Sequence, residues 1–415
     1  MFTKPYPSSP YTIVHAPATW IEDFSRKILE RHLEKIQKGT LQIIYPDGIC
    51  RTFRGQYDHD SVRAMINIKS PRFFRKLIFG GDVGFGESFM LGDWESDDLV
   101  GLLSLLISNR DYIDPRLIRF NAISRRINTL LHRLRKNTPF GSKKNIQAHY
   151  DLSNDMFKGF LDRTMSYSCA IFKSDSESLE DAQLNKINRI LEQAELKADD
   201  HVLEIGCGWG SLAIEGVKKS GCRFTCLTLS EEQKEYAEDI IRREGLSDKI
   251  TVKLCDYRAI DGQFDKIISI EMVEAVGREY LSEYFRICEG LLKPGGKIVI
   301  QAITLDNERI SQYQKNCDWI QKYIFPGCFV PSLEMLQSTV NSSTRLKISD
   351  AYEMRGQYEK TLERWRKEFS IAIDQIKSFG FDMTFIRKWI YYFSYCQAGF
   401  TSRALSTYQM TLQKN

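Results

Sequence analysis

An apolar segment that runs into a glycine-rich turn is the part of the sequence best suited to bind a cofactor. Val202-Leu203-Glu204-Ile205 is followed at once by Gly206-Cys207-Gly208-Trp209-Gly210. Glycines permit a tight turn and let a ligand lie against bare backbone. A dinucleotide-binding turn has the spacing Gly-x-Gly-x-x-Gly, and the carboxylate of Glu204 would repel its pyrophosphate. The turn therefore favours a cofactor with sulfonium and ammonium groups, with an unliganded structural turn as the alternative.

The run from Glu204 to Gly210 is similar to motif I of S-adenosylmethionine-dependent methyltransferases. Thr228 ends the next predicted strand, where most such enzymes have an acid for the ribose hydroxyls, and Gln233 lies one turn into the following helix. We predict S-adenosylmethionine as the cofactor, with Asp256 and Tyr257 at its adenine. The predicted cofactor-binding residues are Tyr167, Ser168, Glu204, Gly206, Gly208, Gly210, Thr228, Leu229, Gln233, Asp256 and Tyr257.

Strands and helices in alternation must position this turn. From about residue 146 onward, short apolar runs alternate with segments of helical periodicity, which predicts an α/β fold with a doubly wound, Rossmann-like sheet. A mostly helical segment over 306–340 is predicted as a lid on that sheet. The predicted strands are 201–205, 223–227, 250–254, 264–270, 297–302, 345–351 and 404–412.

The first third of the chain has a different pattern. A helix from Trp20 onward, two strands over 41–45 and 49–53, and a second extended stretch around the glycines of 80–86 indicate a small α+β unit. We therefore predict an N-terminal α+β domain over 1–114, a basic linker helix over 115–144, and an S-adenosylmethionine-dependent methyltransferase domain over 145–415.

The linker segment 115–144 holds nine Lys and Arg residues and no acid, and its Leu and Ile residues recur at helical spacing. A solvated helix is one interpretation, since charged runs usually face water. Contact with an anionic membrane surface is the other. The segment carries no recognised nucleic-acid-binding motif, so we predict no nucleic-acid partner.

Composition says more about the cellular compartment of the protein than about its binding partners. The net charge of +4 says little about binding, and the chain has no CxxC pair among its ten cysteines, so we predict no metal site. Free thiols are typical of a reduced, cytoplasmic protein. The N-terminus lacks an apolar signal core, and the uncharged runs are too short to span a bilayer. Any membrane contact is therefore expected to be peripheral, at the inner membrane surface.

Several further runs resemble cyclopropane fatty acid synthases, and the resemblance covers most of the chain. Each run alone is weak, but their joint occurrence in this order is specific. The runs are Ile146-Gln147-Ala148-His149-Tyr150-Asp151, Met165-Ser166-Tyr167-Ser168-Cys169-Ala170, Glu271-Met272-Val273-Glu274-Ala275-Val276-Gly277, Tyr323-Ile324-Phe325-Pro326-Gly327, Tyr358-Glu359-Lys360-Thr361-Leu362, Tyr395-Cys396-Gln397-Ala398-Gly399-Phe400 and, nearer the N-terminus, Gly92-Asp93-Trp94.

The resemblance implies a reaction at a cis double bond in a phospholipid acyl chain. The alkene takes the methyl group of S-adenosylmethionine, and the resulting carbocation loses a proton to a bound bicarbonate and closes to a cyclopropane. Where the family has a histidine, this chain has Gln301, which cannot carry a proton at neutral pH. The implied catalytic residues are Cys169, Glu274, Gln301, Tyr358 and Cys396, and the implied bicarbonate ligands are Cys169, Glu274, Gln301, Ile303 and Tyr358.

We therefore predict a cyclopropane-fatty-acyl-phospholipid synthase that acts on unsaturated phospholipid acyl chains, with a homodimer left open. The alternative product is a methyl-branched or methylene fatty acid. The aromatic residues between Trp389 and Phe400 could stabilise the cation or form helix core. We predict that Cys396, a thiol among these aromatics, lines a pocket and is not a nucleophile, because burial raises a thiol pKa. A small-molecule or protein methyltransferase would not explain the runs from Ser166 to Ala170 and from Tyr395 to Phe400. The retained Cys169, Glu274 and Tyr358 argue against a non-catalytic lipid-binding protein.

Overall fold

The computed structural model describes residues 18–56, 62–112, 122–134, 137, 141 and 154–415. Its helices are α1 (Trp20–Leu33), α2 (Arg72–Met90), α3 (Leu99–Ser108), α4 (Ala122–Leu134), α5 (Asn154–Lys158), α6 (Leu179–Ala194), α7 (Ser211–Ser220), α8 (Glu231–Arg243), α9 (Leu281–Leu291), α10 (Asn307–Tyr313), α11 (Trp319–Tyr323), α12 (Leu333–Ser343), α13 (Gln357–Ile371), α14 (Ile373–Ser378) and α15 (Met383–Thr401).

The strands form two separate sheets. They are β1 (Thr40–Ile44), β2 (Cys50–Arg54), β3 (Arg63–Ile68), β4 (Trp94–Glu95), β5 (His201–Ile205), β6 (Arg223–Thr228), β7 (Ile250–Leu254), β8 (Phe264–Ile270), β9 (Leu292–Leu305), β10 (Lys347–Glu353) and β11 (Leu405–Gln413). Every strand predicted from the apolar runs beyond residue 200 is present, with β9 and β10 shifted or extended at their ends.

The larger sheet has the strand order β10-β11-β9-β8-β5-β6-β7. Strands β5 to β9 are parallel to one another, and β11 is antiparallel to both β9 and β10. The carboxyl ends of parallel strands lie along one edge, where ligands bind in such sheets. The prediction of a Rossmann-like, class I methyltransferase fold is confirmed.

Two compact units share the chain, and their bounds differ from the predicted domains. One comprises residues 1–131, 313–324 and 369–403, and the other comprises 132–312, 325–368 and 404–415. The first unit holds the four-stranded sheet β2-β1-β3-β4. The second holds the seven-stranded sheet. Helices α11 and α15 pack with α2 in the first unit because they supply aromatic side chains to its core, such as Trp319 and Tyr391 with ring centroids 4.7 Å apart.

The extended stretch predicted around residues 80–86 is wrong, since these residues are part of α2. Gly81 alone has a left-handed φ of 61° and kinks the helix. Gly84 and Gly86 allow close packing. A Cβ on Gly84 would lie 2.0 Å from the Lys76 carbonyl oxygen, and one on Gly86 would lie 2.5 Å from the Trp319 ring. Glycine at these positions therefore reflects packing distance and does not mark a turn.

Candidate active site

The glycine-rich turn follows β5 and precedes α7, as predicted. Gly206, Gly208 and Gly210 have φ values of 82°, 54° and 92°, which side chains other than glycine rarely adopt. A Cβ on Gly206 would approach Met272 to 3.0 Å, and one on Gly210 would approach Ala237 to 3.2 Å. A Cβ on Gly208 would meet no atom within 4 Å. Gly208 thus leaves an open space beside bare backbone, which is the cradle that a cofactor needs.

Glu204 lies at the end of β5 beneath this turn. Its side chain is buried, and burial raises its pKa to about 8. A Cys226 thiol lies 3.5 Å from Oε2 as a weak donor. A carboxyl group that is largely protonated here would ionise when a cation binds next to it, because an opposite charge favours the charged form. Glu204 therefore fits the ammonium end of S-adenosylmethionine.

The end of β6 carries the second group of predicted cofactor residues. The Thr228 hydroxyl donates to Oε1 of Gln233 at 2.7 Å, and both side chains are buried. Ser230 caps α8 by accepting from the Gln233 backbone N–H. Leu229 is half-buried between them. This arrangement places polar groups at the carboxyl edge of the sheet, where the ribose of a nucleoside would lie.

Asp256 and Tyr257 follow β7 and already have partners in the protein. The Asp256 carboxylate accepts from Nε and Nη2 of Arg258 at 2.8 and 2.6 Å. The Tyr257 ring packs edge-on against Tyr284 with centroids 5.3 Å apart. These contacts bring both residues to the expected edge of the sheet. The adenine contact itself stays a prediction.

The loop after α5 brings Tyr167, Ser168 and Cys169 together. The Ser168 hydroxyl accepts from the Lys186 ammonium at 3.0 Å, and the Tyr167 ring lies 5.1 Å from the Trp365 ring. Cys169 is fully buried, and burial holds the pKa of its thiol well above the ordinary value. A neutral thiol is a poor nucleophile, so the chemistry must depend on neighbouring groups.

Glu271 is the centre of the site, although the sequence reasoning did not assign it a role. It follows β8 directly, and its carboxylate receives three hydrogen bonds. Oε1 accepts from the Cys169 backbone N–H at 2.8 Å and from Nε2 of Gln301 at 2.7 Å. Oε2 accepts from the Tyr358 hydroxyl at 2.6 Å. Three predicted catalytic residues are therefore brought together, and all three contact this one carboxylate.

Glu274 lies one short 3-10 turn further along the chain. Its Oε1 accepts from the Ile303 backbone N–H, and its Oε2 is buried with no hydrogen-bond partner among the described residues. Burial, and then the nearby Glu271 charge, raise the pKa of Glu274 to about 8. Glu274 is thus mostly protonated at neutral pH, and its unpartnered oxygen can donate a proton to a ligand.

Gln301 stands on β9 opposite Gln409 of β11. Its Oε1 accepts from Nε2 of Gln409 at 2.9 Å, so its own Nε2 turns toward Glu271 and the Cys169 carbonyl oxygen. The Gln301 amide is therefore fixed in direction by Gln409, a residue that the sequence analysis did not single out. An amide held in this way donates a hydrogen bond but transfers no proton.

Lys186 is a buried cation beneath these acids. It stands on α6 and is 3% exposed. It shares the buried face of this helix with Gln183, Ile187 and Ile190. Desolvation lowers its pKa, while Glu271, Asp162 and Glu204 act in the opposite direction. Its ammonium donates to the Ser168 hydroxyl at 3.0 Å, and the nearby acids favour its charged form because an opposite charge opposes the effect of desolvation. A Lys on an apolar helix face was the signal that could have revealed it.

The predicted bicarbonate ligands do not form a vacant anion site. Tyr358 and Gln301 already donate to Glu271, and the Ile303 backbone N–H already donates to Glu274. A further anion would have to displace these carboxylates or add a charge beside them. Glu274 alone among the predicted ligands keeps an unpartnered buried oxygen, which does not make a bicarbonate site while the other donors are engaged, and we derive no step through bicarbonate.

Cys396 lies on α15, in the first compact unit. Burial raises its pKa strongly, as the sequence reasoning expected. Most aromatic residues of its segment form core of the same unit, for example Trp389, whose ring lies 5.5 Å from that of Phe393. Catalytic and pocket-lining roles for Cys396 stay predictions. The aromatic cluster in the same unit as Glu271 is a different one, formed by Phe157, Phe160, Tyr167, Trp209 and Trp365.

Within the predicted linker, α4 is described from Ala122 to Leu134. Arg125 donates to Asn316, whereas Arg126 is exposed. Ile127, Leu130 and Leu131 are 53%, 60% and 50% exposed. The helix α4 therefore exposes three apolar side chains together with the basic side chain of Arg126. The rest of the linker and the run from Ile146 to Asp151 lie outside the described residues, and no described helix is long and apolar enough to cross a membrane.

Comparison with known proteins identifies the family of the chain. Residues 138–410 match the family model described as mycolic acid cyclopropane synthetase. The chain belongs to this family. It is 38% identical to the tuberculostearic acid methyltransferase UfaA1 of Mycobacterium tuberculosis, over 90% of this chain and 87% of that protein. It is 34% identical to the cyclopropane-fatty-acyl-phospholipid synthase of Escherichia coli K12, over 85% of this chain and 89% of that protein.

Solved structures of the family support the cofactor. The mycolic acid cyclopropane synthase CmaA1, crystallised with SAH and CTAB, covers 66% of this chain and 98% of its own, at 28% identity and a TM-score of 0.62. The cyclopropane synthase MmaA2 from Mycobacterium tuberculosis gives the same TM-score at 26% identity, covering 66% of this chain and 98% of its own. This family member is thus an S-adenosylmethionine-dependent methyltransferase of the cyclopropane synthase type, which acts on lipids.

Proposed function

We propose that this protein is a cyclopropane-fatty-acyl-phospholipid synthase, which adds a methylene group across the cis double bond of an unsaturated phospholipid acyl chain. The observation that carries this proposal is the group of buried acids at the carboxyl edge of the sheet. Glu271 and Glu274 follow the strand next to β5, which leads into the glycine-rich turn. A methyl transfer to a simple nucleophile needs no such buried acid pair, whereas loss of a proton from a carbocation needs a base.

The residues of the site divide into three roles in this proposal. The glycine-rich turn, Glu204 and Gln233 hold S-adenosylmethionine, which supplies the methyl group. Cys169, Tyr358 and Gln301 orient the acidic groups, and their burial excludes water that would trap a cation. The Tyr167 and Trp365 rings are the nearest candidates in this unit for stabilising positive charge, about 1–2 kcal/mol per ring when water is excluded.

A methyl-branched or methylene fatty acid is the second candidate product. One relative, 38% identical over most of the chain, is named a methyltransferase and not a cyclopropane synthase. Both products begin from the same cation, which lies next to the carbon that received the methyl group. Loss of a methyl proton at this stage closes the ring. A 1,2-hydride shift that moves the cation to the methyl-bearing carbon, followed by loss of a methyl proton, gives the methylene group, and a saturated methyl branch then requires a separate reductant.

We also propose that the enzyme works at the inner membrane surface, as a peripheral protein of the cytoplasm. The support is the exposed face of α4, where Ile127, Leu130 and Leu131 lie beside Arg126. Apolar side chains on a basic amphipathic helix bind at the boundary of an anionic bilayer.

The test is direct incubation with defined lipid. Full-length protein is mixed with vesicles of dioleoyl phosphatidylglycerol and phosphatidylethanolamine and methyl-labelled S-adenosylmethionine. We expect labelled acyl chains that are one CH2 heavier, with the upfield proton signals of a cyclopropane ring. A product of the same mass that loses its unsaturation on hydrogenation would instead support the methylene alternative. Label in no acyl chain, from protein that binds the cofactor, would refute the function.

A further inference from the structure

We infer that the Glu271 carboxylate is the catalytic base that removes the proton from the cation, and that bicarbonate has no part in this protein's reaction. The inference rests on the proposed function and deepens it. The groups predicted to hold bicarbonate converge on Glu271 instead. The Cys169 backbone, Gln301 and Tyr358 donate to its two oxygens at 2.6–2.8 Å.

A carboxylate has the same planar O–C–O end as bicarbonate and accepts the same donors. Glu271 therefore fills the anion position with a group that the chain itself carries. Among the described residues, Oε1 accepts two hydrogen bonds while Oε2 accepts only one, from Tyr358. Oε2 thus keeps a lone pair that can take a proton.

The backbone at Glu271 supports a functional origin for this arrangement. Its φ is 49°, in the left-handed region that costs a residue with a side chain about 1–2 kcal/mol. Glycine would avoid that cost, and a shorter polar residue would reduce the burial of charge. Strained backbone of this kind persists at sites where function requires it. A buried acid at a position suited to glycine is not explained by packing.

Gln301 fits this assignment better than it fits a bicarbonate site. A fixed carboxylate needs a hydrogen-bond donor and needs no proton relay. The Gln409 amide turns Nε2 of Gln301 toward Glu271, and Gln301 has no proton to exchange. One cause then explains both features: because the base is a fixed carboxylate, Glu271 is present, and Gln301 can stand where the family has a histidine.

The charged groups of the site also support Glu271, and not bicarbonate, as the base. Lys186 is buried near these acids, and Glu271 is the largest of the nearby charges that favour its ammonium form, against the desolvation that lowers its pKa. Glu271 has three donors to stabilise its ionised form, whereas Glu274 has one and is the carboxyl that stays protonated. Bicarbonate would add a second anion within this buried set, where like charges oppose ionisation.

In the proposed step, Glu271 accepts a proton from the transferred methyl group. A C–H bond of the transferred methyl group breaks, its electron pair forms the C–C bond that closes the ring, and the proton passes to Oε2 of Glu271. The cation becomes a neutral cyclopropane, and the carboxylate becomes a carboxylic acid. Glu271 releases the proton to solvent before the next turnover.

The experiment compares the wild-type enzyme with Glu271→Gln and Glu271→Gly, in buffer stripped of carbon dioxide and in the same buffer with bicarbonate added. Glu195→Gly is the matched control, because Glu195 has a φ of 52° but is exposed on the surface. We expect the wild type and the control to turn over equally in both buffers. Glu271→Gln should lose activity about a hundredfold or more, as expected for loss of a general base. Glu271→Gly should regain at least about tenfold of its lost rate with bicarbonate.

Binding of 13C-labelled bicarbonate, followed by its NMR signal, gives a readout that needs no turnover. We expect a bound signal with Glu271→Gly and none with the wild type. A bound signal in the wild type, or a wild-type rate that collapses without bicarbonate and returns with it, would overturn the inference. Full activity of Glu271→Gln would do so as well. If the wild type alkylates no lipid, the proposed function fails, and the binding comparison still decides the role of Glu271.

Discussion

Replacing Tyr358 by phenylalanine tests the electrostatics of the site most directly. The change removes one hydroxyl and keeps the ring that packs against Trp365, with centroids 6.1 Å apart. It deletes the donor to Oε2 of Glu271 and leaves the donors to Oε1 in place. The perturbation therefore reaches the carboxylate with little change in shape.

The expected size follows from the charge of the acceptor. A hydrogen bond to an ionised group contributes about 1.5–3 kcal/mol, and one pKa unit corresponds to about 1.4 kcal/mol. Burial is the largest influence and raises the pKa of Glu271 above its ordinary value, while the Tyr358 hydroxyl favours the ionised form and acts in the opposite direction. Loss of the hydroxyl should therefore raise the pKa of Glu271 further. Tyr358 is 6% exposed, so water replaces the lost donor poorly. We therefore expect an effect near the upper end of the range of about 1.5–3 kcal/mol.

The measurement is the pH dependence of kcat on dispersed unsaturated phospholipid. The acidic limb of the profile should move to higher pH, while the alkaline plateau stays near that of the wild type. Affinity for S-adenosylmethionine should not change. Tyr352→Phe is the matched control, because Tyr352 is 39% exposed on β10 and lies away from these acids.

Two outcomes would refute this reasoning. A uniform fall in kcat with no shift of the acidic limb would mean that Tyr358 acts on a group other than a titrating Glu271. An unchanged profile would mean that the hydrogen bond contributes nothing to the reactive state.

Three further predictions concern the cofactor, stability and membranes. Gly208→Val should abolish S-adenosylmethionine binding in calorimetry, because its side chain would fill the open space beside the turn. Glu274 has a folded-state pKa of about 8 against an ordinary 4.5, so its contribution to stability is complete below pH 4.5 and is lost as pH rises through 8. Urea unfolding between pH 5 and pH 9 should therefore show a fall in unfolding free energy of up to about 4 kcal/mol by this linkage, and the fall should be smaller in Glu274→Gln. Arg126→Glu with Leu130→Gln should weaken sedimentation with anionic vesicles and leave activity on detergent-dispersed lipid intact.

Each of these predictions has a control. Gly245 has a φ of 69° and an open Cβ direction, so Gly245→Val has the same backbone strain without the cofactor cradle and should bind normally. If the unfolding free energy falls equally with pH in Glu274→Gln and in the wild type, Glu274 titrates normally. Ile49→Gln removes an exposed side chain on another surface and should sediment like the wild type. Equal loss for the α4 variant on vesicles and dispersed lipid would identify α4 as a structural linker.

The strands of the large sheet could be predicted because strands buried on both faces are short apolar runs bounded by turn residues. The N-terminal unit was harder. Its glycines at 80–86 resembled turn signals, but the close approach of Lys76 and Trp319 that requires them is visible only in three dimensions. The distribution of α11 and α15 into the first unit likewise depends on contacts between residues far apart in the chain.

The sequence by itself determined the cofactor turn, because the order of strand, acid and spaced glycines specifies a local backbone shape. It also placed Cys169, Gln301 and Tyr358 in the site through the family resemblance. Only the tertiary structure decided what these residues contact. Glu271 and Glu274 are both acids after one strand, and pattern alone cannot tell which receives three donors and which has a buried, unpartnered oxygen. That difference comes from β9, α13 and the Cys169 loop meeting at one point, and it decides which carboxylate is stabilised by hydrogen bonds.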